Sequence, residues 1–262
     1  MYWNTEVLKA KFEGKSFGHS IYYYDKTSST NDDAFSLGLN GVPEGTIVIA
    51  DSQTAGKGRI RRSWISPPGL NIYTSVILRP KIEAFKASGI PIMAGVAVAE
   101  VLDLYCPGQV ELKWPNDVII KNKKVCGILS EAKMREGTID FIVLGIGINV
   151  NIQDGKFSEE IRDIATSLAI ESGQYIDRQE LIIRLYENLE KWYKQQLQKG
   201  FDPIKNKWLE LTSMIGRMVV VNFGKENIKG KAVGLDDDGQ LILLSENNQD
   251  IKVSAGDATI MR

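Results

Sequence analysis

Two long apolar runs, Val125–Lys133 and Thr138–Val150, face each other across Glu136-Gly137. A connection that short joins antiparallel neighbours, so the runs are read as hairpin partners. The second run, an apolar strand over Thr138–Asn149, is broken by Gly145 and Gly147. Glycine inside a strand weakens it and marks a close approach of backbone or ligand. Asn149 is polar where the apolar pattern stops. The hairpin therefore puts an antiparallel element into the sheet, together with a place where something packs close.

Shorter apolar runs predict further strands at Ser20–Tyr24, Thr46–Ala50, Val110–Trp114 and Asn71–Leu78, the last ended by Pro80. Val118–Ile120 and Val125–Leu129 flank Lys121–Lys124, which reads as a hairpin turn. Asp32–Leu37 predicts a short helix with acids at its start, where the helix dipole favours them. Ile92, Val96, Ala99 and Leu102 recur at helical spacing within Ile90–Tyr105, a mostly buried helix. Further helices are expected at Ser158–Ile170, Arg178–Lys199 and Pro203–Met214. Leu181, Leu185, Leu189 and Trp192 make one apolar stripe, as in a helix packed on a sheet.

The texture changes near Gly216. Short strands follow at Met218–Asn222, Lys229–Leu235, Gln240–Leu244 and Asp250–Val253, with turns at Asp236–Gly239 and Glu246–Asn248. A small β-barrel or β-roll is expected here. The domain boundary falls near Ser213, giving 1–213 and 214–262.

The 262 residues carry a net charge of -1, which argues against broad electrostatic binding to DNA. Cys106 and Cys126 are too few for a disulfide framework and read as buried thiols in a reducing cytoplasm. His19 is the single histidine, which argues against a His-rich metal site or a Ser-His-Asp triad. No apolar stretch is read as a membrane span, and the N-terminal stretch lacks the pattern of a signal peptide.

The chemistry-bearing residues fall in clusters. Thr27–Asn31 offers hydroxyls and an amide to a polar ligand, although such a segment more often caps a helix after a turn. Gln53 precedes the loop Gly56–Trp64, where glycines would let backbone N–H groups approach an anion and Lys57, Arg59, Arg61 and Arg62 would cover its charge, although such a run also occurs as an ordinary solvated surface loop. Lys113-Trp-Pro-Asn-Asp117 places Asn116 and Asp117 at a strand end, where an acid can bind magnesium or orient a nucleotide, or the segment is simply a turn. Lys124 starts a strand, where a lysine is usually a solvated edge residue.

Together, Ser29–Asn31, Gln53–Arg59, Lys113–Asp117, Lys124–Leu129 and Gly145–Asn149 resemble the biotin protein ligases in order and spacing. The resemblance implies an α+β fold. A mixed-sheet catalytic domain with flanking helices is followed by a small C-terminal SH3-like β-barrel. It implies a ligase that makes biotinyl-5′-AMP from biotin and ATP with Mg²⁺. The biotin then passes to one lysine of a biotin carboxyl carrier protein of acetyl-CoA carboxylase or a related enzyme. Ser29, Thr30, Asn31, Gln53, Gly56, Lys57, Gly58, Arg59, Lys124 and Gly127 would border biotin. Lys57, Arg59, Arg62, Trp64, Lys113, Asn116, Asp117 and Asn149 would serve ATP. Arg59, Lys124 and Asp117 would be catalytic, with Asp117 the candidate for magnesium or for a proton acceptor.

The loop departs from the common family pattern. Lys57 is its first cation, Ile60 and Arg61 replace an Arg and a Gly, and Ser63 precedes Trp64 where a basic residue is frequent. Too little chain precedes Ser20 for the winged helix-turn-helix of bifunctional members, so no operator binding is expected. Lipoate or octanoate ligases and transferases are the nearest rivals; a non-catalytic biotin or nucleotide sensor is another. Members often pair through sheet edges, so a homodimer stays open beside a monomer.

Overall fold

The expected long hairpin forms the middle of a seven-stranded sheet. The computed structural model describes residues 3–60, 62–223 and 226–261. In spatial order the strands are β1 (Ile21–Tyr24), β2 (Ile47–Ala50), β3 (Ile72–Leu78), β7 (Thr138–Ile148), β6 (Lys123–Arg135), β5 (Asp117–Ile120) and β4 (Val110–Lys113). Only β1 and β2 run parallel; every other neighbouring pair is antiparallel.

The two faces of the sheet are covered differently. Ile142, Leu144, Ile146 and Ile148 of β7 join one large apolar cluster with α3 (Gly89–Asp103), α5 (Arg178–Lys199) and α6 (Asp202–Leu211). Phe141 and Val143 point the other way, as alternation along a strand requires, and pack with Ile77 against Ala34 of α2 (Thr30–Leu39). Burial of these side chains stabilises the fold by about 1.5–3 kcal/mol each.

A second, five-stranded antiparallel sheet follows. It runs β11 (Asp250–Val253), β10 (Leu241–Leu244), β9 (Glu226–Leu235), β8 (Met218–Phe223) and β12 (Asp257–Ile260). Its inward residues Val221, Leu241, Leu243 and Ala258 continue the large cluster. The Trp114 indole N–H donates to the Gly239 carbonyl at 3.0 Å, tying this sheet to the first.

Three expectations change. The helix expected at Ser158–Ile170 is replaced by turns, and only α4 (Leu168–Ser172) is helical there. Lys124 takes the backbone of this segment: its N–H donates to the Ile164 carbonyl, and Thr166 N–H donates back to Lys124. These tertiary bonds outweigh local helix propensity. Secondly, the polar N-terminal stretch contains α1 (Thr5–Lys11), capped by the Asn4 side chain and anchored by buried Leu8 and Phe12. Thirdly, Ala84–Asp103 is long and apolar enough to cross a membrane by length and composition. Here most of it is buried, packed between the sheet, α5 and α6.

Candidate active site

The α2-facing side of the sheet is filled at one end and bare at the other. Along β7 that face reads Phe141, Val143, Gly145, Gly147. In register beside the two glycines lie Ser75 and Tyr73 of β3 and Leu129 and Gly127 of β6. The missing side chains are used. A Cβ on Gly145 would overlap Asn31 Oδ1, and one on Gly147 would sit 2.6 Å from the Trp64 indole. A Cβ on Gly127 would lie 2.9 Å from both Trp64 and Lys124. The glycines are thus the floor on which α2 and the Gly56–Trp64 loop rest.

The α2 N-terminus is held by a chain of hydrogen bonds. Thr30 N–H donates to Gln53 Oε1 at 2.8 Å, and Gln53 Nε2 donates to Ser66 Oγ at 2.9 Å. Ser75 Oγ lies 2.8 Å from Thr30 Oγ1 and 2.7 Å from Asn31 Oδ1. Asn31 Nδ2 donates to Glu131 Oε2 at 2.7 Å. Ser29, Thr30, Asn31 and Ser75 are all buried, so each bond lost strands a polar group. We expect Ser75→Ala to destabilise the fold by about 1–3 kcal/mol, read by denaturant unfolding. A change within 0.5 kcal/mol, roughly the size of neutral surface substitutions, would refute that role.

The loop folds as a small hairpin. Gly58 N–H donates to the Arg62 carbonyl, and Trp64 N–H to the Gly56 carbonyl. Ile60 at its tip has φ 52°, a left-handed conformation that β-branched residues rarely adopt. Arg61 lies outside the described residues. Lys57 is ion-paired with Asp32, and that bond holds the Lys57 ammonium more firmly protonated than usual. Arg59 reaches inward: Nη1 donates to Asn116 Oδ1 at 2.9 Å and Nη2 to the Gly256 carbonyl at 3.2 Å. Burial lowers its proton affinity, while the charges of Asp257 and then Asp117 oppose that shift.

Lys124 Nζ lies 2.6 Å from Asp117 Oδ1 and 5.4 Å from the centre of the Trp64 ring. The ammonium meets Oδ1 as an ion pair off the hydrogen-bonding direction, which leaves that buried oxygen without a directed donor. The Trp64 indole N–H is also buried without an acceptor among the described residues. Arg59 and Lys124 thus bring two cations to one cavity, an arrangement that suits a ligand with adjoining anionic groups.

That cavity is lined by Ser29, Thr30, Asn31, Gln53, Lys57, Gly58, Arg59, Trp64, Asn116, Lys124 and Gly127, all expected from the sequence. It also takes in Tyr73, Thr74, Gly145 and Gly147, which were not assigned as site residues. Thr74 and Ser75 carried a signal, as hydroxyls inside an apolar strand. Other expected residues stand off the wall. Gly56 and Arg62 line the outer side of the loop. Lys113 pairs with Asp117 across β4 and β5. Asn149 is buried, and its side chain donates to the Thr166 carbonyl. Asp257 had no local signal, because the chain brings it from the second sheet. Cys126 is fully buried, which pushes its thiol up and leaves it inert.

Residues 23–149 match the Biotin/lipoate A/B protein ligase family, and residues 214–260 match the Biotin protein ligase C terminal domain. The bifunctional ligase/repressor BirA of Bacillus subtilis is 41% identical over 235 residues, spanning 90% of this chain and 72% of that protein. The biotin--[acetyl-CoA-carboxylase] ligase of Paracoccus denitrificans is 33% identical over 223 residues, spanning 83% and 91%. The biotin protein ligase from Aquifex aeolicus, solved in complex with biotin and ATP, aligns with a TM-score of 0.79 at 31% identity. That alignment covers 93% of this chain and 99% of the other. The glycine floor, the paired cations and likeness over 72–99% of the length of these relatives lead to one conclusion: the chain belongs to the biotin protein ligase family.

Proposed function

We propose that this chain activates biotin with ATP to biotinyl-5′-AMP and passes biotin to a lysine of a biotin carboxyl carrier protein. The observation that carries the reading is Arg59 and Lys124 meeting at one cavity over the Gly145–Gly147 floor. In the first step a biotin carboxylate oxygen attacks the α-phosphorus of ATP, and the bond to the β-phosphate breaks as pyrophosphate leaves. Carboxylate and phosphate repel; Arg59 and Lys124 offset that repulsion. Asp117 holds Lys124 by its ion pair. In the second step a neutral lysine amine attacks the carboxyl carbon, AMP leaves, and the new amide nitrogen gives up a proton.

Ser29–Asn31 and Gln53 are proposed to border the biotin rings, with Gly56, Gly58 and Gly127 giving backbone approach. Lys57, Arg62, Trp64, Lys113, Asn116 and Asn149 are proposed to serve the nucleotide. No group of three or more His, Cys, Asp or Glu side chains forms a metal cage among the described residues. That suits Mg²⁺, which binds through substrate phosphates and one or two carboxylates. Asp117 does not line the cavity itself but stands behind its wall, paired with Lys124; it is the acid proposed to reach the ion, which when bound would offset phosphate charge. We read residues 214–262 as an SH3-like barrel domain after a 1–213 catalytic domain. The free thiols suit the cytoplasm.

The cavity measures about 50 Å³, well below the roughly 300 Å³ of ligand pockets. Trp64 stands over Gly127 and Gly147 and takes up part of the room, so we expect the loop around Trp64 to shift as the ligand enters, with Arg59 held in place. We expect residues 54–63 to be cut by protease more slowly with biotin than without it. Equal cleavage in both states would count against closure. The function itself is tested by adding biotin, ATP, Mg²⁺ and a carrier domain. One biotinyl group on one lysine is expected by mass spectrometry; an unmodified carrier would defeat the reading.

A further inference from the structure

The cations of the glycine loop for which pairs are described each face a carboxylate. Lys57 meets Asp32 and lies 3.9 Å from Glu131. Those acids stand on α2 and β6, the same part of the molecule as the loop. Arg59 and Arg62 instead share Asp257, the first residue of β12 in the C-terminal sheet. Its Oδ2 lies 2.6 Å from Arg62 Nη2 and its Oδ1 lies 3.6 Å from Arg59 Nη1.

The two contacts differ in weight. The Arg62 side chain is 71% exposed, and an ion pair there contributes little. The Arg59 and Asp257 side chains are 22% and 24% exposed, so their attraction is screened less. The backbone next door adds a second hold, since the Gly256 carbonyl accepts from Arg59 Nη2. That carbonyl is aimed by a turn only glycine can make: Gly256 has φ 125°, and a Cβ would meet Val221 and Asn222. With Asn116 on the opposite side, Arg59 is clamped between the two sheets.

We propose that Asp257 is a positioning residue for adenylate formation, holding the Arg59 guanidinium in place from the C-terminal sheet. The clamp makes the loop and that sheet one unit: a shift of β12 moves the cation that faces the reacting phosphate. This rests on the reading of Arg59 as an adenylation residue. The clamp itself stands on geometry alone.

The test uses the full chain with Asp257→Asn, which keeps size and removes charge, and Asp257→Glu, which keeps charge. Without any ligand, trypsin should cut between Lys57 and Arg62 several-fold faster in D257N than in wild type. Biotin-dependent pyrophosphate release should fall about tenfold in D257N. D257E should recover part of it. In an R59A background D257N should add no further loss, because Asp257 acts through Arg59. Equal losses in both backgrounds would mean a general structural defect and overturn the proposal. So would wild-type protection and rate in D257N. If wild type releases no pyrophosphate with biotin, the functional reading fails, and the trypsin comparison still decides whether Asp257 holds the loop.

Discussion

Arg59→Ala is expected to slow biotin-dependent pyrophosphate release by about 10²–10³-fold while leaving the fold intact. The size follows from position. Arg59 lines the cavity and has its guanidinium fixed by Asn116 and the Gly256 carbonyl. A preorganised charge of this kind needs little rearrangement when the carboxylate meets the α-phosphate. The fold survives because the partners keep other bonds: Asn116 still donates to the Ile128 carbonyl, and Asp257 still pairs with Arg62. Far-UV circular dichroism and the unfolding midpoint check the fold, and a pyrophosphate assay reads the step. If R59A made and held biotinyl-AMP like wild type, the residue would have been assigned the wrong role.

Gly145→Ala is expected to weaken biotin binding by about 100-fold, measured by calorimetry without ATP. The new methyl would occupy the place of Asn31 Oδ1. Asn31 cannot yield easily, being buried and tied to Ser75 and Glu131. The first turn of α2 must move instead, carrying Ser29 and Thr30 with it. Overpacking of this kind also destabilises by about 1–3 kcal/mol. Gly234→Ala is the matched control: that glycine also lies in a strand, and its Cβ would meet nothing within 4 Å. Near-wild-type affinity in G145A would show that the floor tolerates a side chain.

Much of this arrangement is legible in the sequence. The β6–β7 hairpin followed from two apolar runs and a short turn, and α5 from its single stripe. The glycines of β7 were read as a close approach, and the structure shows what approaches: Asn31 and Trp64. Other features were hidden for physical reasons. The segment at 158–165 looked helical by pattern, yet Lys124 claims its backbone from a distant strand. Local propensity carries no trace of such a bond. α1 was lost among polar residues, because only Leu8 and Phe12 mark its buried side. Asp257 lies in a short strand at the far end of the chain, and only folding brings it to Arg59. Thr74 and Ser75 stand out as hydroxyls in an apolar strand, but their partners do not.

In this reading, biotin activation rests on the two cations over the glycine floor. Its most direct test is pyrophosphate release from ATP and Mg²⁺ without any carrier protein, with biotin, lipoate and octanoate in parallel. Release is expected with biotin alone, ending near one equivalent per enzyme as the adenylate is retained. Release with lipoate or octanoate instead, or with none of the three acids, would rule out biotin activation.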